Sequence, residues 1–187
     1  MTKPELNNPW TTLASEQIYE SPWIAVTKHD VLTPNATNGT YSTVHFKNLA
    51  IGILPLDKDY YTWIVGQYRY PIQKYSWEIP EGGGHLDVEP IESAKRELHE
   101  ETGIIAHKWT KIQEMYLSNS VSDEHCTLFI AQDLVFGESH PDDEEELDMR
   151  KIHFDELYKM VELGEITDSL TITAVLKTKL LILEGKI

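Results

Sequence analysis

The chain has 187 residues, a formal net charge of −15 and a single cysteine, Cys126, and 41% of its residues are apolar, enough for a sizeable core. That length suits one compact domain, or one domain with a small appendage. The acidic balance argues against a nucleic-acid backbone as partner, since phosphate neutralisation takes clustered Lys and Arg, and a lone cysteine excludes an intrachain disulfide and a cysteine-built zinc site. A small anionic substrate stays open, because metal ions can neutralise charge locally.

The first residues, MTKPELNNPW, lack the apolar core of a signal peptide, and no apolar run is long enough to span a bilayer. The expectation is a cytoplasmic protein with no nucleic-acid and no membrane partner. Residues 1–10 read as an irregular arm. Residues 11–19 and 23–32 have strand character and are separated by Glu20-Ser21-Pro22. Residues 33–39 read as a loop, with Asn38-Gly39 as its turn signal. In residues 40–46, Tyr41, Thr43 and His45 alternate with Ser42, Val44 and Phe46, the period of a strand. These strands predict a small antiparallel unit over residues 1–46, either extending a sheet or serving as a dimerisation element, ahead of a main domain over residues 47–187.

Residues 48–56 and 60–68 predict two apolar strands joined by Asp57-Lys58-Asp59. Arg69 follows, and its guanidinium fork suits bidentate binding of a diphosphate. Gly82, Gly83 and Gly84 predict a turn, and Pro90 and Gly103 bracket a helix. On that helix Ile91, Ala94 and Leu98 form an apolar stripe. Glu97, Glu100 and Glu101 share one face, at i, i+3 and i+4. Three like charges there cost stability; they are either a solvated acidic face or ligands of a hard divalent cation, which would reverse that cost. Arg96 stands beside them to hold a carboxylate in place.

Residues 108–117 and 127–134 read as strands joined by a polar loop, with His125 and Cys126 as a strand-edge histidine and a buried thiol. Residues 136–149 form an acidic loop with five consecutive acids, Asp142 to Glu146. Residues 155–163 have helical spacing, Gly164 ends them, and Asp168 or Ser169 can cap a last helix that runs to about Leu183.

Gly82 together with Arg96-Glu97-Leu98-His99-Glu100-Glu101-Thr102-Gly103-Ile104 resembles the Nudix box, G-x5-E-x7-R-E-U-x-E-E-x-G-U, where U is a bulky apolar residue; the one departure is Val88 at the box's first Glu. Gln67-Tyr68-Arg69 and Trp77-Glu78-Ile79-Pro80-Glu81-Gly82 make the chain similar to the nucleotide-sugar branch of that family, the ADP-ribose pyrophosphatases. The branch's Pro-Gly pair after the box is replaced by Asn119-Ser120. The resemblance implies an α/β fold, the Nudix α/β/α sandwich around a mixed sheet, with a small N-terminal antiparallel β unit. It implies metal-dependent hydrolysis of the pyrophosphate bond of a nucleoside diphosphate sugar, giving a nucleoside monophosphate and a sugar phosphate. Glu97, Glu100, Glu101 and the carbonyl of Glu81 would hold Mg2+ or Mn2+, with Gly82 and Arg96 orienting them. Arg69, Glu78, Ser118 and Val121 would line the substrate pocket, and Glu145 or Glu144 of the acidic loop would be the general base. A homodimer is expected. The alternatives are hydrolysis of a dinucleoside polyphosphate or a nucleoside triphosphate, and a catalytically silent nucleotide-sugar sensor. The base and the sugar stay open.

Overall fold

The computed structural model describes residues 7–137 and 147–187, in two compact units: the first comprises the N-terminal segment through Lys47 together with Ser118–Glu124, the second Asn48–Leu117 and His125–Ile187. Glu144 and Glu145 lie outside the described residues.

The first unit is a three-stranded antiparallel sheet, β1 (Thr11–Glu20), β2 (Ile24–Leu32) and β3 (Asn38–Phe46), in the order β1-β2-β3. Asn38-Gly39 is not the turn; it already pairs with β2, as Leu32↔Asn38 and Val31↔Gly39. The reversal sits earlier, where the Thr33 amide donates to the Thr37 carbonyl (2.9 Å), the two hydroxyls meet at 2.7 Å and Ala36 takes a positive φ of 57°. Gly39 serves a different need: a Cβ there would stand 3.2 Å from the methyl group of Thr33, whose amide and hydroxyl close this turn. Ser118–Glu124 is tied to β3. The Val44 amide donates to the Val121 carbonyl (2.8 Å), the Tyr41 hydroxyl to the Ser120 carbonyl (2.5 Å), and Asp123 accepts from the Phe46 amide (2.9 Å) while pairing with His45.

In the second unit, β4 (Asn48–Pro55) is central to a mixed four-stranded sheet ordered β7-β4-β9-β8. It runs parallel to β9 (His125–Phe136) and antiparallel to β7 (Glu81–His85), and β8 (Ile104–Tyr116) pairs antiparallel with β9. Both faces of a sheet buried on each side must be apolar, and the alternation delivers that. Ile51, Ile53, Phe129 and Ala131 pack with Ala94 and Leu98 of α1 (Pro90–Thr102). Leu54, Leu128 and Ile130 pack on the other side with Leu157 of α2 (Phe154–Glu162) and with Leu170, Ala174 and Val175 of α3 (Ser169–Leu183). The result is an α/β/α sandwich. A second, antiparallel sheet orders β10 (Asp148–His153), β5 (Tyr61–Arg69) and β6 (Lys74–Glu78) as β10-β5-β6. No helix among the described residues is long and apolar enough to cross a membrane.

The three glycines expected to form a turn lie instead in β7, paired as Ile51↔Gly82, Ala50↔Gly83 and Leu49↔Gly84. Their role is close approach to α1 and to the sheet. A Cβ on Gly82 would fall 2.2 Å from the Glu97 carboxyl carbon, and one on Gly84 would fall 3.1 Å from both Ile51 and the Ser93 hydroxyl. A Cβ on Gly83 would meet nothing nearer than Asn48, at 3.7 Å. Gly82→Ala is therefore expected to lower unfolding free energy by about 1–3 kcal/mol through overpacking, and Gly83→Ala by about 0.5 kcal/mol or less. Urea denaturation of the two variants checks the contrast; equal losses contradict it.

Candidate active site

The box helix α1 starts with Pro90 at its first turn and ends at Gly103, which takes φ 69° so that its amide can cap the His99 carbonyl. Leu98 and Ala94 bury one side, which sets Glu97 and Glu101 at the edge of the core, only 9% and 6% exposed. Arg96 organises the outer pair. Its Nη2 donates to Glu97 Oε1 (2.6 Å) and to the Gly83 carbonyl (2.8 Å), and its Nη1 donates to Glu100 Oε2 (2.6 Å). Partial burial alone would lower the Arg96 pKa, but Glu97 and Glu100 outweigh it and raise it. Val88, where the box has Glu, lies half-exposed in the turn before α1.

A second group gathers around residues 78–81, where the chain leaves β6 and enters β7. Glu78 is 2% exposed. Arg69 grips it from Nε (3.1 and 3.0 Å) and Nη2 (2.6 Å), and the same Nη2 donates to Glu81 Oε1 (2.6 Å). Burial by itself would lower the Arg69 pKa; Glu78 and Glu81 overcome it and raise it. Asp168, the N-cap of α3, brings a third carboxylate: Glu78, Glu81 and Asp168 each place an oxygen within 4.8 Å of the others. Glu81 binds its proton far more tightly than an ordinary carboxyl, because it is buried and faces Asp168 and Glu78, with Arg69 opposing. A hydrogen bond from the Glu81 amide to Glu101 Oε2 (3.1 Å) links the two groups.

Two observations fit this site to a hard divalent cation. The donors are all carboxylate or carbonyl oxygens, which such ions prefer. Glu81 Oε2 is buried and accepts no hydrogen bond among the described residues, a cost that a bound cation removes.

The structure thus brings together Gly82, Arg96, Glu97 and Glu100, and joins them through Glu101 to Glu81, Glu78 and Arg69. Ser118 and Val121 belong to the first unit, where the Ser118 carbonyl accepts from the Val121 amide (3.0 Å). Asp168 enters the site although the sequence marks it only as a helix cap, since nothing local signals that α3 begins beside residues 78–81. Arg69→Ala leaves the buried Glu78 carboxylate without its guanidinium partner. The expected loss is about 3–5 kcal/mol of stability, read by urea denaturation at neutral pH; a loss under about 1 kcal/mol contradicts the pairing.

Comparison with known proteins extends this geometry. A family model described as NUDIX domain matches residues 47–171, and one described as nucleoside diphosphate sugar hydrolase N-terminal domain matches residues 10–44. An ADP-ribose pyrophosphatase of Bacillus subtilis (strain 168) is 33% identical over 166 residues, covering 88% of this chain and 89% of the relative. A methanol dehydrogenase activator of Bacillus methanolicus is 28% identical with the same coverage of both chains. A solved structure titled as that of an ADP compounds hydrolase superposes with a TM-score of 0.84 at 20% identity, covering 95% of this chain and 97% of that one, a likeness of fold. With its box helix, its sandwich and two-thirds of its length matched, this chain belongs to the Nudix family.

Proposed function

We propose that the protein hydrolyses the pyrophosphate bond of nucleoside diphosphate sugars, releasing a nucleoside monophosphate and a sugar phosphate. One observation carries the reading: Glu97, Glu100 and Glu101 are set on one helix face by Arg96 and by the Glu81 amide, beside the Arg69–Glu78 pair. The match of residues 10–44 to the nucleoside diphosphate sugar hydrolase N-terminal domain, and the similarity to an ADP-ribose pyrophosphatase, support the substrate class.

Glu97, Glu100, Glu101 and the Glu81 carbonyl would hold Mg2+ or Mn2+. Such an ion, when bound, neutralises diphosphate charge and acidifies a water. The side chains of the chain do the rest. Arg96 keeps Glu97 and Glu100 from splaying apart under their own repulsion, and Gly82 leaves room for the Glu97 carboxylate. Arg69, held by buried Glu78, presents fixed positive charge to the substrate phosphates. Glu145 or Glu144 takes the proton of the attacking water. Homodimerisation through the N-terminal unit is part of this reading. Leu13, Ile18, Tyr19 and Trp23 are exposed in that unit, and clustered exposed apolar residues mark interaction surfaces.

Incubation with ADP-ribose, ADP-glucose, GDP-mannose, UDP-glucose, NADH and a diadenosine polyphosphate, in Mg2+ or Mn2+, should release nucleoside monophosphate preferentially from one sugar nucleotide. No turnover of any, with a rise in Tm from one of them, would move the assignment to a sensor. On the preferred substrate, Glu101→Gln should lower kcat on the order of 10²-fold or more, as loss of an electrostatic group does, with an unchanged circular dichroism spectrum. Glu145→Gln should lower kcat by roughly 10²-fold with metal affinity kept; if Glu144→Gln alone does so, the base is Glu144.

A further inference from the structure

Residues 78–81 pose an accounting problem. Ile79 is wholly buried, so its amide must find a partner within the protein. The ladder between β5 and β6 ends at Val65↔Glu78, one residue short of it. Pro80 has no amide, and the Glu81 amide is taken by Glu101. The Ile79 amide instead donates to Thr171 Oγ1 at 2.9 Å, on the first turn of α3, and Thr171 is 0% exposed. Thr171 is itself fixed, since its amide donates to Asp168 Oδ2 at 2.6 Å. On the far side, the Pro80 carbonyl accepts from the Ile53 amide of β4 at 2.8 Å.

We propose that Thr171 is a positioning residue for the metal-binding group: by holding the Ile79 amide it fixes where the Glu81 backbone meets Glu101. The coupling is direct. Pro80 fixes its own φ near −65°, which removes one of the few torsions that could absorb a displacement at Ile79 before it reaches Glu81. Helix α1 thus supplies a ligand candidate, Glu101, while α3, packed on the opposite face of the sheet, supplies the anchor for the strand entrance which that ligand grips. Nothing in the Nudix box encodes this, because Thr171 lies well beyond it in the chain.

The inference rests on the proposed metal site, and its test separates the two. Mn2+ alone is titrated into the full chain, and free Mn2+ is read by electron paramagnetic resonance. Thr171→Val keeps the shape and removes the acceptor; its Mn2+ affinity should fall about tenfold, the lower end for loss of an outer partner. Thr171→Ser restores the oxygen and should restore affinity to within about twofold of wild type, on the same reasoning. If Thr171→Val does not fold, Thr171→Ala takes its place, with the same expected loss. Affinity retained in the oxygen-free variant, or lost equally in Thr171→Ser, overturns the inference. Glu101→Gln is the control. Loss of affinity there with none in Thr171→Val overturns the role of Thr171 alone, whereas wild-type affinity in Glu101→Gln overturns the metal site and this inference with it.

Discussion

The second unit carries one electrostatic constraint above others: Glu78, Glu81 and Asp168 lie together, the Glu81 amide ties them to Glu101 beside Glu97 and Glu100 on α1, and Arg69 and Arg96 pair with these carboxylates among the described residues. Like charges brought out of water repel strongly, so the arrangement stands only because each carboxylate is held by something rigid. Arg96 forks between Glu97 and Glu100, Arg69 between Glu78 and Glu81, a backbone amide takes Glu101, and Asp168 caps a helix. The surplus of negative charge left after that pairing is what a divalent cation complements.

The core makes that gathering precise. Strand β4 sends Ile51 and Ile53 to the α1 side and Leu54 to the α3 side, where Leu56, just past its end, joins it, so both helices are seated on the same strand. Each then reaches the segment between β6 and β7 from its own face, α1 through Glu101 and α3 through Thr171. The missing Cβ of Gly82 lets β7 lie directly against Glu97. Packing and electrostatics are therefore not separable here: a methyl group on Gly82 would disturb Glu97 of α1 as surely as a lost charge would.

The local features were legible in the chain itself. Pro90 and Gly103 bracket α1, the spacing of Glu97, Glu100 and Glu101 puts them on one face, and the alternation of residues 40–46 makes a strand. What depended on distant pairing was not. The glycine triplet looked like a turn because nothing nearby shows that β4 is its partner. Strand β10 is short and polar, DMRKIH, and becomes a strand only because β5 offers an edge. Asn38-Gly39 carried a turn signal, but the Thr33 and Thr37 hydroxyls closed the reversal earlier. Asp168 was readable as a cap and not as a neighbour of Glu78 and Glu81, since that contact is set by how α3 lies on the sheet.

A divalent-cation site built from the surplus carboxylates would show itself in the calorimetric unfolding of the full chain. A ligand that binds only the folded state stabilises it by about 2.7 kcal/mol at a hundred times its Kd. Millimolar Mg2+ should raise the Tm above that in chelator, and the rise should disappear when Glu97 and Glu101 are both changed to Gln. A Tm indifferent to Mg2+, or a rise that survives the double change, would contradict that site.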